Sequence, residues 1–150
     1  MNSALYRWRS LAPYLLSIFR IVVGFLFMQV GTAKLFAFPA AIMPNGGTAK
    51  LVSLIGVAGI LETFGGLFIL VGLFTRPVAF VLSGEMAVAY FYGHAPHGFW
   101  PVLNQGALAI VYSFLFLYLS AIGPGPWSIH ALLRRDRRAS ASESSNTTAT

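Results

Sequence analysis

The 150 residues are 57% hydrophobic and only 9% charged, against about 25% charged in an ordinary soluble domain. So little charge cannot cover a soluble surface, which excludes a soluble globular fold and points to one integral membrane domain. The formal net charge of +6 is not laid out as a basic stripe with interleaved polar groups, so no nucleic-acid partner is expected. With no cysteine, disulfide, thiol-redox and iron–sulfur chemistry are excluded within the chain.

Residues 1–13 are a basic lead in which Arg7, Trp8 and Arg9 suit an interfacial anchor. Pro13 fits the first turn of a helix, where its missing N–H is no loss, so a first helix is expected over about 14–36. It reads as an uncleaved span, because it carries Arg20 and three more apolar runs follow it. Arg20, Gly24, Phe27, Gly31 and Lys34 fall on one helical face. The glycines on that face allow a neighbouring helix to approach closely. Lys34 lies near the far end, where it is expected to snorkel to the interface.

Residues 37–50 hold the breakers Pro39, Pro44 and Asn45-Gly46-Gly47. Thr48 suits the cap of a second helix over about 50–74. That helix contains one acid, Glu62, and the pair Gly65-Gly66. A mid-span carboxylate is costly in lipid unless it faces protein or a partner. Gly56, Gly59 and Gly66 crowd the side that Glu62 occupies, the expected tight seam. Thr75 suits the cap, and Pro77 the first turn, of a third helix over about 78–93.

The third helix carries Glu85 and ends in Tyr90, Phe91 and Tyr92. His94, His97 and Trp100 follow in a loop. Trp100 and the tyrosines suit an aromatic belt. The histidines flank Pro96 and make no secure metal pair, so no metal site is expected. A fourth, uncharged helix is expected over about 103–122, with Asn104 and Gln105 at its start. Gly123-Pro124-Gly125-Pro126 stops it, and Ser128 suits the cap of a short interfacial turn. The tail, 134–150, opens basic, turns Ser/Thr/Ala-rich and is expected to be disordered.

The fold class is therefore all-α, a polytopic membrane four-helix bundle over 14–133. Arg7, Arg9, Arg76 and the tail arginines fall on one side and Lys50 on the other, which places both termini in the cytoplasm. From the cytoplasmic ends of their helices, Arg20, Glu85 and Glu62 lie roughly 9, 12 and 17 Å deep at about 1.5 Å per residue. These overlapping layers predict an Arg20–Glu85–Glu62 cluster, with Arg20 holding the carboxyls and the deeper Glu62 placed to hold a proton. The competing reading is that these groups only fix helix packing.

Arg20-x3-Gly24-x6-Gly31-x2-Lys34-Leu35-Phe36 and Glu62-x2-Gly65-Gly66-x5-Gly72-x2-Thr75-Arg76 resemble the first two helices of the DoxX family. Glu85-Met86 with His94, Asn104-x-Gly106 and Gly123-Pro124-Gly125-x2-Ser128 continue the resemblance over about residues 17–132. The resemblance implies a four-helix protein of the bacterial cytoplasmic membrane. Relatives named DoxD are associated with thiosulfate:quinone oxidoreduction, and other members with membrane redox or oxidative-stress assemblies. Two positions depart from the pattern. Ala107 stands where the family often has a glutamate, and His130 where it often has an aspartate.

The leading expectation is an accessory protein or subunit of a quinone-linked or oxidative-stress redox system. Glu62, Glu85 and Arg20 are the candidate reactive residues. Glu62, Tyr90, His94 and Trp100 are the candidate quinone contacts. Gly24, Gly31, Gly65, Gly66, Lys34 and Arg76 are the structural set. Besides the lipid bilayer, a membrane oxidoreductase and a second copy of the chain are the partners considered. The alternatives are permeation of a small solute or proton through an oligomer, and a non-catalytic membrane organiser.

Overall fold

A computed structural model describes residues 3–43 and 46–135, with side chains from Trp8 onward. The Arg7 side chain, the Pro44-Asn45 turn and the tail from Asp136, including Arg137 and Arg138, lie outside the described residues. Helix α1 is Ser3–Phe36. Helix α2, Leu54–Val71, has α-helical ends joined by a π-helical turn at Leu61–Gly65. Helix α3 is Thr75–Ala89. It runs on through a second π-helical turn, Tyr90–His94, and a 3-10 turn, Ala95–His97. Helix α4 is Ala107–Ile122, and 129–135 form a short α5.

Several expected boundaries move. The first helix starts at Ser3 and carries Pro13 in its interior. Ser17 Oγ donates to the Pro13 carbonyl at 3.1 Å just beyond that proline. Thr48 does not cap α2. The cap is Ser53, whose Oγ accepts from Gly56 N at 3.1 Å. Nor does Thr75 cap α3. Phe74 occupies that position with φ of 49°, and Thr75 Oγ1 is buried without a partner. The fourth helix begins at Ala107, because Asn104 is spent on the preceding loop. Ser128 does cap α5, accepting from Ala131 N at 3.1 Å.

Two helical runs, Trp8–Phe36 and Leu54–Val71, are long and apolar enough to cross a membrane. Only 28% and 33% of these windows are buried, so most of their apolar side chains face outward, unlike core helices of a soluble protein. Four membrane helices were expected, the third a short one; among the described residues two have the length and composition to cross. Helices α3 and α4 have 15 and 16 residues, roughly 23 Å at 1.5 Å per residue against a hydrocarbon core of about 30 Å.

The core is a single cluster including Val23, Phe27, Ile69, Leu82, Phe116 and Leu119. Phe27 meets Phe116 edge-on at 4.7 Å and Tyr112 at 5.3 Å, tying α1 to α4. Ser113 Oγ donates to the Ser83 carbonyl at 3.0 Å between α4 and α3.

The α1–α2 seam is set by two glycine pairs with equal seven-residue spacing, Gly24/Gly31 and Gly59/Gly66. A Cβ at Gly24 would stand 2.9 Å from Gly66 O and 2.6 Å from Leu70 N; one at Gly31 would stand 2.8 Å from Gly59 O. One at Gly66 would meet Met28 N at 2.7 Å. These contacts fix an antiparallel register with backbone against backbone. Gly24→Ala is therefore expected to lower stability by about 1–3 kcal/mol, the usual cost of overpacking. Gly84→Ala, with nothing within 4 Å of its Cβ, is expected to be neutral or slightly stabilising. Thermal unfolding of the two variants in the same detergent checks the contrast.

Candidate functional site

The register decides which charges meet. Gly31 packs against Gly59 and Thr63, and Lys34, one turn further along α1, sits with its Cβ near Gly59 and reaches back to Glu62 on the π-helical turn of α2. Lys34 Nζ lies 2.6 Å from Glu62 Oε1. The Glu62 side chain is 2% exposed and that of Lys34 20%. Lys34 therefore turns into the bundle, where snorkelling outward was expected. The π-helical turn matters locally because it inserts an extra residue into the helix and re-aims the side chains around it.

Glu85 of α3 joins this pair. It is near enough to Glu62 and Lys34 to interact electrostatically with both. Glu85 Oε1 and Oε2, and Glu62 Oε2, are buried and have no hydrogen-bond partner among the described residues. Buried polar atoms are normally satisfied, so three orphan acceptors in one place call for an explanation.

A cavity of about 730 Å³ opens beside the cluster, with Lys34 and Glu85 in its polar wall. Its other walls are mainly apolar, including Ile55, Leu61, Val81 and Val88. Tyr92, His94 and His97 also line it. That size lies within the range of small-molecule sites, about 300–1,000 Å³.

His94 is held in a defined orientation. Its Nδ1 lies 2.9 Å from the Asn104 carbonyl oxygen, which can only accept, so Nδ1 carries the hydrogen. In the neutral ring Nε2 is then left as an acceptor. Asn104 also donates through Nδ2 to Gly98 O at 2.7 Å and accepts through Oδ1 from Gly106 N at 2.8 Å. A Cβ at Gly106 would stand 2.7 Å from the Tyr90 ring and 2.8 Å from His94 Cβ. Asn104 and Gly106 thus shape the loop behind His94.

Arg20 does not join the carboxyls, which corrects the expected Arg20–Glu85–Glu62 cluster. It is fully buried at the opposite end of the α1–α2 seam. Its Nε donates to Pro124 O at 2.8 Å, Nη1 to Leu70 O at 2.6 Å and to Ile69 O, and Nη2 to Trp127 O. A guanidinium at the carbonyl end of α2 satisfies acceptors that the helix leaves open. Gly72, with φ of 72°, makes room for it: a Cβ there would stand 3.0 Å from Arg20 Cζ. Arg76 repeats the arrangement on α4, donating to Ala121 O at 2.8 Å and Ile122 O at 3.1 Å.

The remaining candidates divide. Glu62 reaches the cavity through Lys34, and His94 lines it. Tyr90 packs edge-on against Phe91 at 5.3 Å. Trp100 is exposed and meets Phe99 edge-on at 5.2 Å. Neither Tyr90 nor Trp100 is in the cavity wall. Tyr92 and His97 are; the sequence reading placed Tyr92 in an aromatic belt and His97 in a loop, and named neither as a quinone contact. Gly65 receives the α3 side chain Leu82, whose Cδ2 would lie 2.7 Å from an added Cβ. Ala107 opens α4. His130 belongs to a separate cavity at the Arg76 end. Among the described residues no group of three or more metal-ligating side chains is gathered.

A protein of Haemophilus influenzae, described as an uncharacterized protein, is 47% identical over 116 residues, which cover 75% of this chain and 86% of that protein. No solved structure matches. Residues 15–95, the stretch holding Arg20, Lys34, Glu62, Glu85 and His94, match DoxX, and the chain belongs to the DoxX family.

Proposed function

We propose that the chain is a quinone-binding accessory subunit of a membrane redox system, with the Lys34–Glu62–Glu85 cavity as its site. The family is a group of small bacterial membrane proteins linked to redox and oxidative stress. The chain itself is a bacterial membrane protein with at least two membrane-spanning helices. The single observation that carries the reading is Glu85, whose two buried oxygens lack partners in the wall of a largely apolar cavity.

The residues fit such a ligand. The apolar walls suit a ring and its isoprenoid tail. Lys34 can donate to a ring carbonyl, and the carboxyl of Glu85 can donate to a carbonyl or accept from a hydroxyl. A quinone supplies a dione that takes up two electrons and two protons. Glu85 is the group placed to hold or release a proton at that point, and His94 Nε2 is a second acceptor near the mouth. The α1–α2 seam holds Lys34 against Glu62, so the donor is oriented before any ligand arrives. An electron-transfer partner completes the system.

In this reading α3 and α4 also cross the membrane, α3 through its extension to His97, giving four spans. Both termini are cytoplasmic, supported by Arg76, Arg134 and Arg135 at the end opposite Lys34.

Purified protein is expected to retain quinone on lipid extraction. Glu85→Gln is expected to retain about tenfold less, the loss of one or two ligand hydrogen bonds. Equal quinone in wild type and Glu85→Gln would sink the assignment. Solute or proton flux in proteoliposomes, abolished by the same substitution, would favour the permeation reading in its place.

A further inference from the structure

The other end of the molecule holds a second cavity, of about 470 Å³, lined in part by Arg76, Pro124, Ser128, His130, Arg134 and Arg135. Among the described residues no acidic side chain lines it. The only acids among the described residues are Glu62 and Glu85, and both belong to the cluster around Lys34. Arg134 and Arg135 accordingly have no ion-pair or hydrogen-bond partner among the described residues. Arg76 uses one hydrogen of each Nη to hold the end of α4, which leaves its Nε–H and the remaining Nη hydrogens open. Three guanidiniums and an imidazole thus surround one concavity.

The positions are set by the fold. Arg76 is anchored by the Ala121 and Ile122 carbonyls, and Gly123 with φ of 94° lets the chain turn away beneath it. The 129–135 helix places His130 and Arg134 one turn apart on the same face. His130 N donates to Gly72 O at 3.3 Å, which docks this helix on the α2–α3 turn. The surroundings are apolar: Ile122, Trp127, Ile129, Leu132 and Leu133 are exposed. A ligand fitting both features has an anionic head carrying several acceptor oxygens and an apolar body beside it.

We propose that this cavity binds the phosphate of an anionic phospholipid. Guanidiniums match phosphate through paired N–H donors. The exposed apolar side chains around it suit acyl chains, which a free phosphate would leave uncovered. Basic pockets beside membrane helices on the cytoplasmic side commonly take such head groups. The site is separate from the Lys34–Glu62–Glu85 cavity and does not depend on what that cavity holds.

The test is native mass spectrometry of the full-length, delipidated protein in detergent, titrated with phosphatidylglycerol, phosphatidylcholine and inorganic phosphate. Wild type is expected to retain phosphatidylglycerol over phosphatidylcholine. The double variant R134Q/R135Q is expected to bind phosphatidylglycerol about thirty-fold more weakly, roughly fivefold for each arginine. Its unfolding in lipid-free detergent is expected to match wild type, since neither arginine has a partner among the described residues. Equal phosphatidylglycerol binding by R134Q/R135Q would overturn the proposal, as would equal retention of phosphatidylcholine. Displacement of the lipid by inorganic phosphate at comparable concentration would overturn the lipid as occupant and leave a soluble anion in its place.

Discussion

Arg20→Leu is expected to prevent recovery of a folded protein from the membrane. Arg20→Lys is expected to destabilise it by about 3–6 kcal/mol, the loss of two or more charge-assisted hydrogen bonds at roughly 1.5–3 kcal/mol each. The guanidinium is fully buried and faces four backbone carbonyls drawn from two distant parts of the chain, Ile69 and Leu70 on α2 and Pro124 and Trp127 beyond α4. Leucine fills part of the volume and leaves all four acceptors stranded. Lysine keeps the charge, but a single ammonium cannot span carbonyls arranged around a planar fork. Yield after detergent extraction and the unfolding midpoint are the measurements. Wild-type stability for both variants would refute the role given to Arg20. If Arg20 served the quinone site instead, Arg20→Lys would lower quinone retention without moving the midpoint.

The helical face carrying Arg20 and Lys34 was legible from spacing alone, but the partners were not. Depth estimates from helix ends placed Arg20 level with the carboxyls. Helix α1 extends upstream through Pro13, however, and its register against α2 is set by glycines. Part of the signal was present: Gly24/Gly31 and Gly59/Gly66 share one spacing, and matching them antiparallel puts Arg20 level with Leu70, beside Gly72, and Lys34 level with Gly56, from which its long side chain reaches back to Glu62. Periodicity gives a face, whereas level along the axis comes only from a pairwise contact of this kind. The π-helical turns at Leu61–Gly65 and Tyr90–His94 had no sequence signature, because a single extra residue in a turn leaves the apolar pattern nearly unchanged. Asn104 was placed at the start of the fourth helix. Its two side-chain hydrogen bonds to loop backbone explain why it lies outside one.

The two ends of the α1–α2 seam use charge differently. At the Arg20 end a cation meets only backbone carbonyls, and the guanidinium makes four hydrogen bonds from its five N–H donors. At the Lys34 end one ammonium faces two carboxyls, and three carboxyl oxygens have no partner among the described residues. Satisfied polar groups stabilise a fold, and unsatisfied ones beside a cavity are available to a ligand. The asymmetry separates a staple from a site using residues that the sequence placed on a single face.

Lys34→Met is expected to cost about 3–5 kcal/mol, because it leaves the buried Glu62 without its cation. Glu62→Leu is expected to cost less. The lysine stem is flexible and its ammonium is already part-exposed, so once released it can swing toward the interface, whereas Glu62 has no route to water. The double variant K34M/E62L is expected to recover most of the Lys34→Met loss, since it removes the unpaired charge and fills the seam with apolar atoms. The three variants close a double-mutant cycle, read from unfolding midpoints in one detergent, with an expected coupling of roughly 1–3 kcal/mol. Additive costs would show that the 2.6 Å contact carries no net interaction. Quinone retention supplies the functional half of the experiment. K34M/E62L restores packing without restoring the donor to the cavity, so its stability is expected to return while its quinone content stays low. Recovery of both would assign the pair to architecture and leave Glu85 and His94 as the polar groups that face the ligand.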